Sequence, residues 1–447
     1  MKHSITGSRR RVAAGAAVLV LASVGLAACS SEDAPAASAA DCAAYDAYGD
    51  FSGEKVSVYS PYTGADQDRL EKAWATFGDC TGIDITYEGS ADFEAQVQVR
   101  IQGGNLPDVL IVPQPGLLTS LAEKDLLVPA SDAVKKNVET GWSEGFGTYA
   151  SVDGTLYGSP VTTGLKSFVW FSPTAFAEHG WQIPTSWQGL IDLTDQIASE
   201  TGERVWCEGF ESGAATGWPG TDWLEDLVIR TAGVETYDKW VAHEIAFDDP
   251  AIVTALDEVG KILKNEKYVN AGFGDVRSIA STNQLDALYA IGDDSCYLSH
   301  RNASATWDDE FNLAADGDVW GFYMPSINED DTKSLVGGGE FAVALKDSPA
   351  IEAVRQYLSS TQFATDMVGQ GLVSANQGVD PASAPDAQLA NVISILQDPE
   401  AEFRFDASDL MPTAVGGGAF WTGMTDWILG ADSKDVLAQI EAAWPAS

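Results

Sequence analysis

Apolar residues in the first third of the chain fall into short runs separated by stretches of helical spacing. Val56-Ser57-Val58-Tyr59 is a β-rich run closed by the turn residues Ser60, Pro61 and Thr63-Gly64. Leu70, Trp74 and Phe77 then recur at i, i+4 and i+7, which predicts a helix, with Thr63 and Asp66 spaced as a capping box at its start. Ile83 to Glu88 reads as the next strand. A second helix is expected from about Asp92 to Ile101, with Phe93, Val97 and Ile101 facing in and Gly103-Gly104 closing it. Asp108-Val109-Leu110-Ile111-Val112 is continuous in apolar residues, as a strand covered on both faces should be, and Pro113-Gln114-Pro115-Gly116 opens another helix. This β-α-β-α-β-α order predicts a parallel sheet whose ligand crevice lies beyond the carboxyl ends of its strands. Tyr62, Asp66, Glu88 and Gln114 occupy the post-strand loops, so all four are candidates for one cleft.

From Leu156 to Phe171 the chain reads as an extended crossing, with Lys166 isolated among Val161, Phe168, Val169, Trp170 and Phe171. A lysine so placed either reaches for solvent or faces a polar cleft. Further on, Thr216-Gly217-Trp218-Pro219-Gly220-Thr221-Asp222-Trp223 reads as an aromatic loop, in which Trp218 and Asp222 would set a stacking ring beside an acceptor. Helices are expected at 251–264, 278–290, 349–358, 386–396 and 420–429, with strands near 296–298 and at 319–325. Gly337-Gly338-Gly339-Glu340 leads into the buried run 341–345, which holds the Glu340 carboxylate where the chain turns. Pro412 and the glycines 416–418 precede the last of the helices named, and Trp421 at its start is the foremost stacking candidate. No internal repeat and no second hydrophobic span is present.

Composition narrows the setting. Lys2 and Arg9-Arg10-Arg11 precede an apolar segment, Val12 to Leu26, that ends in Leu26-Ala27-Ala28-Cys29. Charged start, short apolar stretch and small residues make residues 1–28 an export signal, with a twin-arginine route as the second reading. The chain carries 25 Lys and Arg against 66 Asp and Glu. Removal of the four basic residues before Cys29 leaves 21 against 66, a charge that excludes nucleic acid, anionic membrane patches and anionic solutes as partners. Four cysteines remain after Cys29, and they allow three disulfide connectivities. Cys42 with Cys80 and Cys207 with Cys296 is favoured, because each bond then lies inside one expected lobe and leaves the lobes free to move.

Most catalytic and metal chemistry is missing. The four histidines, His3, His179, His243 and His300, form no zinc motif, and no nucleophile elbow, phosphate loop or dinucleotide fingerprint occurs. No cofactor and no metal is expected. Among 66 carboxylates any pair could be proposed as an acid and base, so an exported glycoside hydrolase stays as an alternative without a motif to select it, as does a binder of peptides or other non-sugar solutes.

Leu26-Ala27-Ala28-Cys29 resembles the lipobox of bacterial lipoproteins, which implies a lipid on Cys29 and makes residues 29–41, rich in Ala, Ser and Asp, a tether. Gly103 to Asp108, Gly154 to Pro160 and Met411-Pro412 through Phe420-Trp421 resemble the lipid-anchored solute-binding proteins of bacterial ABC sugar importers, the maltodextrin and α-glucoside group. The resemblance implies a two-lobe α/β fold of the periplasmic-binding-protein type II, each lobe a mostly parallel sheet flanked by helices, with the ligand between lobes. Residues 42–162 with 336–384 would form the N-terminal lobe and 163–335 with 385–447 the other. It further implies a non-enzymatic, monomeric receptor that hands a neutral sugar to an ABC permease and meets the membrane only by its lipid. Trp421 falls where the family places a stacking tryptophan, and Glu88 and Gln114 fall in loops that supply hydroxyl partners. Trp218, Asp222, Tyr62, Asp66, Lys166 and Glu340 complete the expected ligand set. Thr162-Thr163-Gly164 stands where some maltodextrin binders carry an acidic residue, which leaves ligand length and linkage open.

Overall fold

Continuous apolar runs become the inner strands of a sheet, and the helically spaced segments cover its faces. In the computed structural model, which describes residues 42–445 apart from 91, 270–272, 292–295, 305–306 and 308–310, the first third forms β1 (Lys55–Ser60), β2 (Asp84–Gly89) and β3 (Val109–Val112). The export segment, the tether and Cys29 lie outside the described residues. Helices Ala65–Thr81 and Phe93–Gly103 connect the strands, and β1 pairs in parallel with both β2 and β3, as the order predicts. The capping box does not form. Gly64 caps the first helix without a side-chain bond, and Asp66 turns instead to Arg69, 3.3 Å away.

A small hairpin, β4 (Ser151–Val152) and β5 (Thr155–Leu156), leads to β6 (Gly158–Pro160), and the crossing continues through β7 (Gly164–Leu165) and β8 (Phe168–Phe171). β9 (Leu298–His300), β10 (Trp320–Tyr323), β11 (Ser334–Gly338), β12 (Phe341–Ala344) and β13 (Glu402–Phe405) complete the strands among the described residues. β12 returns to the first sheet, antiparallel to β3 and β6, in the order β2-β1-β3-β12-β6. The other sheets run β10-β8-β9 and β13-β11-β7. The result is an α/β fold of helix-flanked sheets.

The expectation of mostly parallel sheets needs correcting in the second half, where β8 is antiparallel to both β9 and β10. The cause is the connection. Several helices intervene between β8 and β9, so no single crossover helix dictates a parallel return. Three local readings also change. Trp218 to Trp223 is not a loop but the start of helix Trp218–Ala232, because proline fits the first turn of a helix. The helix expected at 278–290 is a short 3-10 turn, Val276–Ala280, and a separate helix, Gln284–Tyr289, capped by the Asn283 side chain. Val415–Phe420 is a π-helical turn that runs into helix Trp421–Ile428, with Ala419 N–H donating to the Ala414 carbonyl at 3.0 Å. Its glycine serves close packing, since a Cβ on Gly416 would lie 1.9 Å from the Ser408 carbonyl oxygen.

Disulfides join Cys42 to Cys80 and Cys207 to Cys296, with Cα separations of 5.2 and 5.8 Å, in the favoured connectivity. Phe77 stacks on Tyr357 at 4.1 Å between ring centroids in the core under the first sheet. The largest cluster surrounds helix Trp218–Ala232 and includes Trp223, Trp240, Phe420 and Trp427. A third cluster gathers Phe168 and Trp170 of β8 with Trp142, Phe146, Val368 and Val373, so the crossing segments share one apolar core with residues that precede and follow them in sequence.

The glycine run 337–339 marks where two crossing segments touch backbone to backbone. Gly337 faces Leu165 and Gly338 faces Gly164 across an antiparallel pair. A Cβ on Gly337 would fall 2.3 Å from the Gly164 carbonyl oxygen, and one on Gly339 2.4 Å from that of Thr162. Gly339→Ala should therefore destabilise the fold by about 1–3 kcal/mol, the cost of overpacking, measured as a lower urea midpoint. Gly103→Ala, with open space around it, should stay within about 0.5 kcal/mol of wild type. Equal effects of the two would refute the close crossing.

Candidate functional site

Turns after neighbouring central strands open on the same side of a sheet, and here they open on a cleft of about 780 Å³. Tyr62 and Asp66 reach its wall from the turn and helix after β1, Gln114 from the turn after β3, Lys166 from the crossing and Glu340 from the junction of β11 and β12. Asp409, Gln388 and Trp307 come from later segments of the chain. One polar contact ties Tyr62 to the crossing, and a second links the two sets. The Tyr62 hydroxyl lies 2.9 Å from Thr162 Oγ1, and Gln114 Nε2 donates to Asp409 Oδ1 at 3.2 Å. Burial lifts the Glu340 carboxyl to about 7, and burial together with the Glu340 charge raises the Tyr62 phenol.

Lys166 faces the cleft rather than bulk solvent. Its Nζ donates to Asp222 Oδ1 at 3.0 Å and to Asp406 Oδ2, and sits 5.6 Å from the centre of the Trp218 ring. Helix Trp218–Ala232 supplies the acids, because Asp222, Glu225 and Asp226 at i, i+3 and i+4 share its inner face. Glu225 accepts the backbone N–H groups of Ala407 and Ser408, each at 3.1 Å, at the start of the short helix Ala407–Leu410, which the Asp406 side chain caps by accepting the Asp409 N–H. Asp226 binds Arg230 Nη1 and His300 Nε2, both at 2.7 Å, and accepts from the Ser167 hydroxyl. Asp222, Glu225 and Asp406 converge closely enough to hold a cation, and the Lys166 ammonium, bonded to two of the three, is that cation.

One ammonium cannot keep every neighbouring carboxylate ionised. Against the cost of burial, Lys166 holds Asp406 below the usual range, and the surrounding acids hold Lys166 well above its own. Burial lifts Asp222 to about 7 despite Lys166. Burial and the Asp406 charge lift Asp409 to about 8 and drive Glu225 well above a normal glutamate.

Other candidates stand apart from the cleft wall. Trp218 is half-buried at the start of its helix and reaches the site through Lys166 and through Arg301, whose guanidinium lies 5.2 Å from the ring centre. Trp421 begins the neighbouring helix. Gly217 fits between the two helix starts, since a Cβ there would fall 2.2 Å from the Trp421 carbonyl oxygen. The Trp421 Nε1 is buried and has no hydrogen-bond partner among the described residues, and its ring does not line the cleft. Glu88 is exposed and pairs with Arg100. β2 is the outermost strand of its sheet, so the loop after it opens one strand farther from the cleft than those after β1 and β3. Glu225, Asp406, Asp409, Gln388 and Trp307 escaped sequence reasoning. Only Glu225 and Asp226 left a trace there, as acids on the apolar face of a helical pattern.

The model of the bacterial extracellular solute-binding protein family matches residues 63–370. The chain belongs to that family. It is 36% identical over 408 residues to the alpha-glucosides-binding periplasmic protein AglE of Rhizobium meliloti, covering 88% of each chain. Identity is also 36%, over 405 residues, to the osmoprotective compounds-binding protein GgtB of Synechocystis, covering 89% of this chain and 94% of the relative. Among solved structures, the bacterial solute receptor AcbH superposes with a TM-score of 0.71 at 16% identity, over 87% of this chain and 98% of that one. RafE in complex with raffinose gives 0.66 at 15%, over 87% and 98%. At such identities these two likenesses speak for the fold alone.

As an extracellular solute-binding protein, the chain acts outside the cytoplasm and works by binding rather than catalysis. Its buried acids make stability depend on pH. Asp222, Asp409 and Glu340 keep their protons in the fold at a pH where the unfolded chain has released them. Their contribution is therefore complete below the ordinary carboxylate range and is lost as pH rises through 7 and 8. Asp409→Asn, which makes one group permanently neutral, should flatten the decline of the melting temperature between about pH 5 and pH 8. A slope equal to that of wild type in thermal scans across that range would exclude the raised carboxyl.

Proposed function

We propose that this protein is the substrate-binding component of an ABC importer that captures a neutral sugar, an α-linked glucoside or short oligosaccharide, and delivers it to a membrane permease. The observation that carries the reading is the mixed chemistry of the cleft, which is lined by Tyr62, Asp66, Gln114, Lys166 and Glu340 together with the rings of Trp307 and Phe311. A sugar ring needs both hydrogen-bonding groups around its edge and apolar surface against its C–H face. An excess of acidic residues disfavours anionic solutes, and an α-glucoside-binding relative of similar length supports the sugar class.

In this reading residues 42–162 with 336–384 and residues 163–335 with 385–447 are two lobes that close on the ligand. The close-packed glycines of the crossing would lie at the hinge. Closure strengthens the polar contacts by expelling water, and the ligand favours the closed form in proportion to its extra affinity for it. Trp218, set against Lys166, is the stacking surface nearest the charged cluster, with Trp421 behind it. Cys29 carries the lipid that keeps the monomeric receptor beside its permease.

Calorimetric titration with maltose, trehalose, sucrose and maltotriose should give saturable heat with at least one, and silence with all four would reject the ligand class. Trp218→Ala and Trp421→Ala should each weaken that binding by about 1–3 kcal/mol if both rings stack. An unchanged affinity removes the ring concerned from the site. Cys29→Ser should shift the protein from the membrane fraction to the soluble one, and membrane retention of that variant would disprove the lipid anchor.

A further inference from the structure

One cleft side chain has no structural work. Gln388 lies in the first turn of helix Ala387–Leu396, is 3% exposed and lines the cleft. Neither its Oε1 nor its Nε2 has a hydrogen-bond partner among the described residues. Helix capping does not occupy it, since the Asp386 carboxylate already accepts the Leu389 N–H at 2.8 Å. At the far end of the same helix the Gln397 Nε2 is fully used, donating to the Asn376 and Val379 carbonyls at 2.7 and 2.9 Å. Buried amides are normally paired, and an idle one weakens the fold unless something else satisfies it. The cleft lining holds a second donor without a partner among the described residues, the buried Nε1 of Trp307.

A primary amide offers one acceptor and one donor side by side in a plane. Its complement is a pair of neighbouring hydroxyls, one donating to Oε1 and the other accepting from Nε2, which is the vicinal diol of a pyranose. Leu389 and Val373, also in the wall, offer apolar surface next to it. We propose that Gln388 is a ligand-contacting, specificity-determining residue that reads a vicinal diol, with Trp307 Nε1 as a further donor to the same ligand. This rests on the sugar reading of the cleft.

Gln388→Leu keeps the side-chain size and removes the amide, and Gln388→Glu keeps the shape and an acceptor but loses the N–H donor. Both are titrated by calorimetry with whichever of maltose, trehalose, sucrose and maltotriose binds wild type most tightly, and both are melted without ligand. Each should bind at least about tenfold more weakly. Ligand-free Gln388→Leu should melt at or above the wild-type temperature, because an unpaired buried amide has gone. Wild-type affinity in either variant would overturn the role of Gln388 while leaving the sugar reading intact. A Gln388→Leu protein that melts lower, together with a Gln388→Glu protein that binds normally, would mark the amide as structural. Absence of binding by wild type to all four sugars would remove the sugar reading, and the diol contact with it.

Discussion

A single ammonium among buried acids sets the terms for the rest of the site. Lys166 leaves the crossing segment and meets Asp222 from one helix and Asp406 from the start of another, far away in sequence. Charges taken out of water are tolerated only when paired and hydrogen-bonded, and breaking such a pair from one side typically costs about 3–5 kcal/mol. Lys166 thus locks the crossing to helix Trp218–Ala232 and to the turn at 406–409. Because one cation cannot neutralise four neighbouring acids, Asp222, Glu225 and Asp409 are driven toward the protonated form, in which a carboxyl can donate as well as accept. Asp409, the one of the three that lines the cleft, so offers it a donor that an ionised carboxylate would lack.

That lock sits beside a second constraint, the close crossing of main chains at 162–165 and 337–339. Glycine is required at 337 and 339 because a Cβ there would enter the carbonyl of Gly164 or Thr162. Side-chain bulk is excluded from the very place where the segments pass, and hydrogen bonds carry the contact instead. Ser167 extends the arrangement, since its hydroxyl donates to Asp226 and accepts the Val336 N–H at 2.8 Å. Each disulfide, by contrast, joins two cysteines that fall in the same stretch of sequence relative to these crossing segments, Cys42 to Cys80 before the first and Cys207 to Cys296 between the two.

Much of the fold was legible because burial leaves periodicity behind. β1, β2 and β3 and the helices between them formed within a residue or two of expectation, since burial leaves Val56, Val58 and Tyr59 in β1, an unbroken apolar run in β3 and helical spacing between the strands. Legibility failed where one residue type serves two purposes. Proline and glycine at 217–220 read as a loop but begin a helix, and the glycines at 416–418 lie in a helical turn because Ser408 packs against them. The direction of β8, β9 and β10 was missed, parallel pairing being expected and antiparallel found, since that pairing is made by segments more than a hundred residues apart.

The sequence by itself determined the secondary-structure order of the first sheet, the polar loops after its strands, the cysteine count and the acidic excess. All of these follow from local spacing or composition. It also placed Tyr62, Asp66, Gln114, Lys166 and Glu340 well enough for them to meet in one cleft. Tertiary structure alone decided that Glu88 stands aside on an outer strand, that Asp406 and Asp409 close round Lys166, and that Gln388 is buried with its amide unused. Those outcomes depend on which distant segments pack together, and the pairing of a charge or an amide with a partner hundreds of residues away leaves no period in the chain to read.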